Sequence, residues 1–191
     1  MILISTEHSI QHEIQTLHQL FDAGLSHFHI RKPSFSALET KNYLKKIDKA
    51  FHPYCVVYHA ELFEDFDLKG LHQKSVERNA VLMKEHQSLS TSTHSIVEFN
   101  SLTETYQYAF VSPLFPSIIK KNYESKHLLE SLENRTNFKT QLIGLGGITL
   151  NHIPELYQKV DAIALLGHIW MHENPVNQWK KCQQLVLSYS V

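Results

Sequence analysis

Short runs of apolar residues recur along the chain at intervals of roughly 20–30 residues, and most of them are separated by segments with helical periodicity. The clearest helical segment is Ile10–Phe21, in which apolar side chains return every three or four positions before Gly24 ends it. A second signal is Ser36, which is followed three positions later by Glu39 and so has the spacing of a helix capping box. The pattern therefore predicts β-strands that alternate with α-helices.

Eight strands and eight helical segments follow from this pattern. The predicted strands are Ile2–Ser5, His27–Arg31, Tyr54–His59, Gly70–His72, Ser88–Ser92, Tyr108–Ser112, Leu142–Leu145 and Ala162–Leu166. The predicted helices are Ile10–Phe21, Ser36 to about Phe51, Ala60–Phe66, an abbreviated one within Ser75–Glu85, Ser95–Thr103, one near Ser125–Thr136, Leu150–Val160 and one near Pro175–Ser188. This order predicts an α/β fold, a single (β/α)₈ TIM barrel with abbreviated helices that spans residues 1–191 as one domain. A doubly wound open sheet with fewer strands is the alternative.

Composition narrows the classes of partner. Lysine and arginine number 18 and the acidic residues 19, which leaves a net charge of −1 and no overall basic field for nucleic acid or an anionic membrane. No apolar run approaches membrane-spanning length. Cys55 and Cys182 are the only cysteines, which argues against a disulfide framework and for a reducing compartment. We expect a cytoplasmic protein without nucleic-acid or membrane partners.

Glycines end the last two predicted strands. Gly146 and Gly147 follow strand seven, and Gly167 follows strand eight. In a (β/α)₈ barrel the carboxyl ends of the strands carry the active site, and backbone N–H groups at such turns can bind phosphate. The paired turns predict a phosphate site, although each glycine alone could simply end its strand tightly.

Several polar blocks together resemble a known family. His29–Lys32 reads HIRK, Ser92–Ser95 reads STHS, and Ile143–Thr149 reads IGLGGIT. With Val56–His72 and Phe110–Lys121, these blocks are similar, in the same order, to those of the thiamine phosphate synthase and TenI superfamily. The resemblance implies a (β/α)₈ barrel of thiamin biosynthesis that binds a small-molecule thiazole or thiamin phosphate.

The departures from the family pattern bear on the reaction. Synthases of this family bind Mg²⁺ and pyrophosphate through acidic residues after strands three and four, where this chain has His59-Ala60 and Gln73-Lys74-Ser75. Mg²⁺ prefers carboxylate ligands. The family's lysine position is taken by Pro33, with Lys32 one residue early. The resemblance therefore implies no cofactor, with Mg²⁺ only if synthase activity is retained, and it favours a TenI-like thiazole tautomerase slightly over a synthase.

The resemblance also assigns roles to residues. His94 matches the proton-transfer histidine of the tautomerases, and Arg31 would hold the substrate's carboxylate or phosphate, so these two are the predicted catalytic residues. The predicted substrate-binding residues are His29, Lys32, His59, Ser92, Ser117, Lys120, Gly146, Gly147 and Gly167.

Other hypotheses stay open at this point. The chain could be a thiamine phosphate synthase, a non-catalytic regulatory barrel that binds the phosphate ligand without turnover, or an unrelated phosphosugar barrel enzyme. His59, His72 and His94 follow consecutive strands and could hold Zn²⁺. A second copy of the chain could cover the thinly protected side near strands three to five.

Overall fold

Eight short parallel strands close into a barrel in a computed structural model, which describes residues 1–78, 83–84, 86–116 and 126–189. The strands are β1 (Ile2–Ile4), β2 (Phe28–His29), β3 (Cys55–Val57), β4 (Gly70–Gln73), β5 (Ser88–Thr93), β6 (Tyr108–Val111), β7 (Gln141–Gly144) and β8 (Ala162–Leu165). Each strand pairs with the next one along the chain, and β1 pairs with β8 through Ile2 opposite Ala164 and Leu3 opposite Leu165. The predicted (β/α)₈ barrel is confirmed, and the open sheet is excluded.

The connections between strands are mostly short helices. The α-helices are α1 (Glu13–Asp22), α2 (Ala37–Leu44), α3 (Ile96–Asn100), α4 (Lys126–Ser131), α5 (Ile153–Leu156), α6 (Gly167–Trp170) and α7 (Pro175–Ser188). The 3₁₀ helices are Lys49–Tyr54, Ala60–Glu64, Ser75–Glu77, Leu132–Asn134 and Leu150–His152. Within the described ranges, no helix combines the length and the apolar character needed to cross a bilayer.

The predicted closing helix Pro175–Ser188 is confirmed, but the helix predicted from Ser36 to about Phe51 is too long. The Ser36–Glu39 capping box does start α2, which then ends at Leu44. A separate 3₁₀ helix follows, because the Asp48 carboxylate accepts a hydrogen bond from the Ala50 backbone at 2.9 Å. Aspartate often competes with helix continuation in this way. The short helix α6 directly after β8 was not predicted.

The apolar core has two layers that follow from strand alternation. Ile2 and Ile4 point into the barrel and pack with Phe110 and Ile143, whereas Leu3 points outward into the layer beneath the helices. The outer layer is the larger of the two and includes the fully buried Trp179 of α7. Most of the buried apolar side chains therefore lie between the strands and the helices, and only a small apolar cluster lies inside the barrel.

Gly70 allows β4 and β5 to approach each other closely. A Cβ atom on Gly70 would lie 2.3 Å from the backbone oxygen of Ser88, which the ladder holds in place. We predict that Gly70→Ala lowers the free energy of unfolding by about 1–3 kcal/mol, the usual cost of overpacking. Urea unfolding monitored by circular dichroism measures the effect.

Gly144→Ala is the matched control. Its added Cβ would meet the Leu114 Cδ1 atom at 2.8 Å, and a flexible side-chain end can rotate away. A Gly70→Ala variant as stable as Gly144→Ala would contradict this packing argument.

Candidate active site

A cavity of about 650 Å³ opens at the carboxyl ends of the strands, which we call the rim. Six of the predicted site residues line it, namely Arg31, Ser92, His94, Gly146, Gly147 and Gly167. The structure thus brings together residues from β2, β5, β7 and β8 that are far apart in sequence. A cavity of this size suits a small organic ligand.

His94 lies directly after β5 with its imidazole on the cavity. Its Nδ1 atom is 3.2 Å from the backbone oxygen of Ser112. Because a carbonyl oxygen only accepts hydrogen bonds, we assign the proton of the neutral ring to Nδ1, which leaves Nε2 as the basic nitrogen. The His94 backbone N–H donates to Glu98 Oε2 at 2.7 Å, so the residue is held at two points.

Arg78 secures this end of β5 from behind, and sequence reasoning did not identify it. Its guanidinium donates to Glu98 Oε1 at 2.6 Å, to the Ser92 backbone oxygen at 2.7 Å and to Thr91 Oγ1 at 3.2 Å. Glu98 therefore links the Arg78 cation to the His94 backbone. The arrangement limits the movement of the strand end that carries the histidine.

Arg31 follows β2, and its guanidinium reaches across the rim to Glu7 in the β1–α1 loop. The two side chains form an ion pair with Nη1 and Oε1 2.6 Å apart, and they are 38% and 41% exposed. Ser5 fixes the backbone beneath them, since its hydroxyl accepts from the Arg31 N–H at 2.9 Å and donates to the Arg31 oxygen at 3.1 Å. Glu7 lines the cavity and was not predicted as a site residue.

A polar network fills the barrel below the cavity. His72 lines the cavity floor, and its ring nitrogens lie 2.9 Å from Ser90 Oγ and 3.0 Å from Ser92 Oγ. His29 is deeper and fully buried, with Nε2 2.7 Å from the Tyr108 hydroxyl, and it does not line the cavity. His29 therefore contacts the network rather than the cavity space.

The histidines of this network are held neutral. Burial lowers the pKa of His72 to about 3, and the nearby Arg31 charge acts in the same direction. Burial likewise holds the pKa of His29 well below its usual range, with His72 and His27 adding to the effect. Neutral imidazoles can only exchange hydrogen bonds here, and they place no second cation beneath Arg31.

Lys32 and His59, predicted to bind substrate, lie away from the cavity. Lys32 is on the opposite face of the chain from Arg31, and its Nζ atom lies 2.8 Å from Glu13 Oε1 with both side chains almost fully buried. Tyr43 also donates to Glu13, at 2.9 Å. His59 precedes a 3₁₀ helix, and its Nε2 atom is 3.3 Å from the Phe35 oxygen. Neither side chain lines the cavity.

The glycine turn after β7 is built for close packing. Gly146 and Gly147 have φ angles of 98° and 62°, and a Cβ on Gly147 would lie 2.4 Å from the Pro116 oxygen. The loop after β6 lies against this turn, with the Phe115 N–H donating to the Gly146 oxygen at 3.1 Å. Among the described residues, the N–H groups of Gly146 and Gly147 donate no hydrogen bond. Both glycines line the cavity.

Two further predicted residues, Ser117 and Lys120, lie outside the described residues. Gly167 begins the four-residue helix α6 and lines the cavity. Its neighbour His168 also lines the cavity, and the His168 Nε2 atom accepts from the Leu150 N–H at 3.1 Å. The first N–H groups of any helix have no partner within it. Gly146, Gly147 and Gly167 thus line one cavity at the ends of β7 and β8.

The described residues do not suit the metal sites considered from the sequence. Neither a His59, His72 and His94 set nor any other group of three or more His, Cys, Asp or Glu side chains is placed to hold a metal in this part of the chain. Both ring nitrogens of His72 already contact serines. Glu7 is the one carboxylate among the described cavity-lining residues, and Arg31 engages it. This donor set does not fit Mg²⁺, which favours several oxygen ligands.

Comparison with known proteins assigns the family. The model of the family described as thiamine monophosphate synthase matches residues 1–169. The chain belongs to this family. The membership predicted from the polar blocks is therefore confirmed. No curated protein matches the chain.

Solved structures agree with the fold of the family. Thiamine phosphate pyrophosphorylase from Bacteroides thetaiotaomicron is 24% identical, with a TM-score of 0.76 over 97% of this chain and 96% of that one. The pyrophosphorylase from Pyrococcus furiosus is 15% identical, with a TM-score of 0.79 over 98% and 95%. A 3-hexulose-6-phosphate synthase from Salmonella typhimurium is 14% identical, with a TM-score of 0.69 over 98% and 99%. At these identities the likeness concerns the barrel alone.

The low pKa of His72 predicts a pH-dependent stability. Because its folded-state value of about 3 lies below the ordinary 6.5, unfolding takes up a proton between these values, and the free energy of unfolding falls as the pH drops through this window. We expect His72→Gln to reduce the stability difference between pH 7.5 and pH 5.0 by roughly 2 kcal/mol. Urea unfolding at the two pH values measures it, with the exposed His127→Gln as control. An unchanged difference in His72→Gln would refute the assignment.

The buried pair of Lys32 and Glu13 predicts a structural rather than a binding role for the lysine. Lys32→Met leaves the Glu13 carboxylate buried without its cation, and we expect the free energy of unfolding to fall by about 3–5 kcal/mol. Adding Glu13→Gln should restore part of this loss. The exposed Lys45→Met is the control, with a change within about 0.5 kcal/mol. If Lys32→Met has a small effect on stability and a large effect on ligand affinity, Lys32 has a binding role and not a structural one.

Proposed function

We propose that this member of the thiamine monophosphate synthase family is a TenI-like thiazole tautomerase that works without a metal ion. The observation that carries the proposal is the position of His94, whose Nδ1 atom is held by the Ser112 oxygen while the ring lines the cavity. A general base needs an unprotonated nitrogen within reach of the substrate, and Nε2 would serve as that nitrogen because Nδ1 contacts the Ser112 oxygen.

The reaction moves one proton within the substrate. His94 Nε2 takes the proton from one position of the conjugated thiazole system, and the bonding electrons of that position shift along the conjugated bonds. The imidazolium then returns the proton at the second position, so the histidine ends as it began. Neither an oxidant nor a metal enters the balance. The Glu98 contact with the His94 backbone keeps the histidine in place through both transfers.

Two anionic groups of the substrate have separate partners in this scheme. The N–H groups of the Gly146–Gly147 turn and the start of α6 at Gly167 would bind the phosphate. The planar guanidinium of Arg31 would hold the carboxylate and stabilise the negative charge that develops as the proton leaves. Ser92, supported by His72, would contact the heterocycle at the floor of the cavity.

Thiamine phosphate synthesis is the second candidate, and the name of the matching family favours it. It requires a Mg²⁺ and pyrophosphate site that the described cavity residues do not supply, because their one carboxylate pairs with Arg31. A barrel that binds the phosphate ligand without turnover is the third outcome that the following experiment distinguishes.

The test compares two assays on the same purified protein. We expect turnover of thiazole carboxylate phosphate in the presence of EDTA, and His94→Ala should lower kcat by a factor of about 10²–10⁴ because the proton carrier is removed. The surface variant His127→Ala is the control and should keep full activity. Circular dichroism confirms that each variant is folded.

The second assay supplies thiazole phosphate, pyrimidine pyrophosphate and Mg²⁺. Turnover only under these conditions would contradict the tautomerase and identify a synthase. Binding of thiazole phosphate without either reaction would show a non-catalytic barrel. Equal kcat values for the parent protein and His94→Ala would remove His94 from the mechanism.

A further inference from the structure

The ion pair between Glu7 and Arg31 occupies the position where an anionic substrate group would bind. Nη1 and Oε1 are 2.6 Å apart, and both side chains line the cavity. A ligand anion that reaches Arg31 must therefore displace the Glu7 carboxylate or share the guanidinium with it. In either case the negative charge of Glu7 opposes the ligand.

The loop that carries Glu7 is fastened to the same stretch that carries Arg31. The Ser5 hydroxyl contacts both backbone groups of Arg31. The neighbouring Thr6 hydroxyl accepts from Lys32 Nζ at 3.3 Å and donates to the His8 oxygen at 2.6 Å. Buried Glu13 holds Lys32 from the other side. Because Ser5 and Thr6, the two residues before Glu7, are anchored to the stretch that carries Arg31, the carboxylate meets Arg31 at a high effective concentration.

We propose that Glu7 is an internal competitor for Arg31, which keeps a lone anion off this cation. A ligand already held by its phosphate at the glycine turns brings its second anionic group to Arg31 as an intramolecular partner and can displace Glu7. The pair thereby selects substrates that carry two anionic groups. This inference rests on the proposed function, since it assigns Arg31 to a substrate anion.

The test is an NMR titration with inorganic phosphate that follows the Arg31 Nε–H signal and the backbone amides of Gly147 and Gly167. In Glu7→Gln we expect the Arg31 signal to respond at phosphate concentrations about five- to tenfold lower than in the parent protein, because a half-exposed ion pair is lost and a repulsive charge removed. The glycine amides should titrate equally in both proteins. Thiazole carboxylate phosphate should move the Arg31 signal even with Glu7 present.

Glu104→Gln is the matched control. Like Glu7, Glu104 forms an ion pair, in this case with Lys139. It lies in the loop before β6, at the other end of the barrel. Glu104→Gln changes the net charge by the same amount as Glu7→Gln and should leave the Arg31 titration unaltered. Two results would overturn the proposal that Glu7 competes for Arg31. One is an Arg31 signal that titrates alike in the parent protein and in Glu7→Gln. The other is weaker phosphate binding in Glu7→Gln, which would mean that Glu7 positions Arg31. Glycine amides that ignore phosphate in every variant would count against the phosphate site of the proposed function, while the Arg31 comparison would still decide the role of Glu7.

Discussion

The hydrogen-bonded closure between β1 and β8 is the constraint on which the candidate site depends. All eight strands run parallel, so each one delivers the residues that follow it to the same rim. Pairing of Leu3 with Leu165 brings the β1–α1 loop beside the start of α6. Without this closure, Glu7 and Gly167 would belong to opposite edges of an open sheet and could not line one cavity.

The interior of the barrel supports the rim with polar groups instead of a fully apolar core. His72 bridges Ser90 and Ser92, and His29 contacts Tyr108 through Nε2, while the buried His29 Nδ1 has no hydrogen-bond partner among the described residues. Burial of an imidazole carries a cost unless the ring stays neutral and has partners. The neutral His72 contacts Ser92, and the cavity floor beneath Arg31 is therefore uncharged.

Local features of the sequence predicted much of this structure. The short recurring runs predicted all eight strands to within a few residues, and the glycines after strands seven and eight marked turns that line the cavity. The end of α2 at Leu44 was missed because the helical periodicity continues beyond it, into a separate 3₁₀ helix that Asp48 caps. Arg31 and Lys32 are both basic residues after β2, and this polarity alone did not show that Arg31 faces the cavity whereas Lys32 faces the helices.

The partners of the site residues were beyond sequence reasoning for one physical reason. Periodicity reports neighbours within a turn or a strand, whereas Glu7 lies 24 positions from Arg31 and Arg78 lies 20 positions from Glu98. Such pairs form only once the barrel has brought separate loops together. One pair joins Arg31 to Glu7 and the other holds Glu98 beside the His94 backbone, and neither leaves a motif in the sequence.

In the proposed mechanism His94 transfers a proton at a metal-independent site. The most direct measurement is NMR of thiazole carboxylate phosphate turned over in D₂O with EDTA present. Because the exposed His94 ring can exchange its N–H with solvent before it delivers the proton, we expect the product to gain deuterium at the position that receives the proton. His94→Gln should abolish this incorporation. Two results would contradict this mechanism. One is product that forms in EDTA without deuterium from the solvent and at full rate in His94→Gln. The other is no reaction until Mg²⁺ and pyrimidine pyrophosphate are supplied.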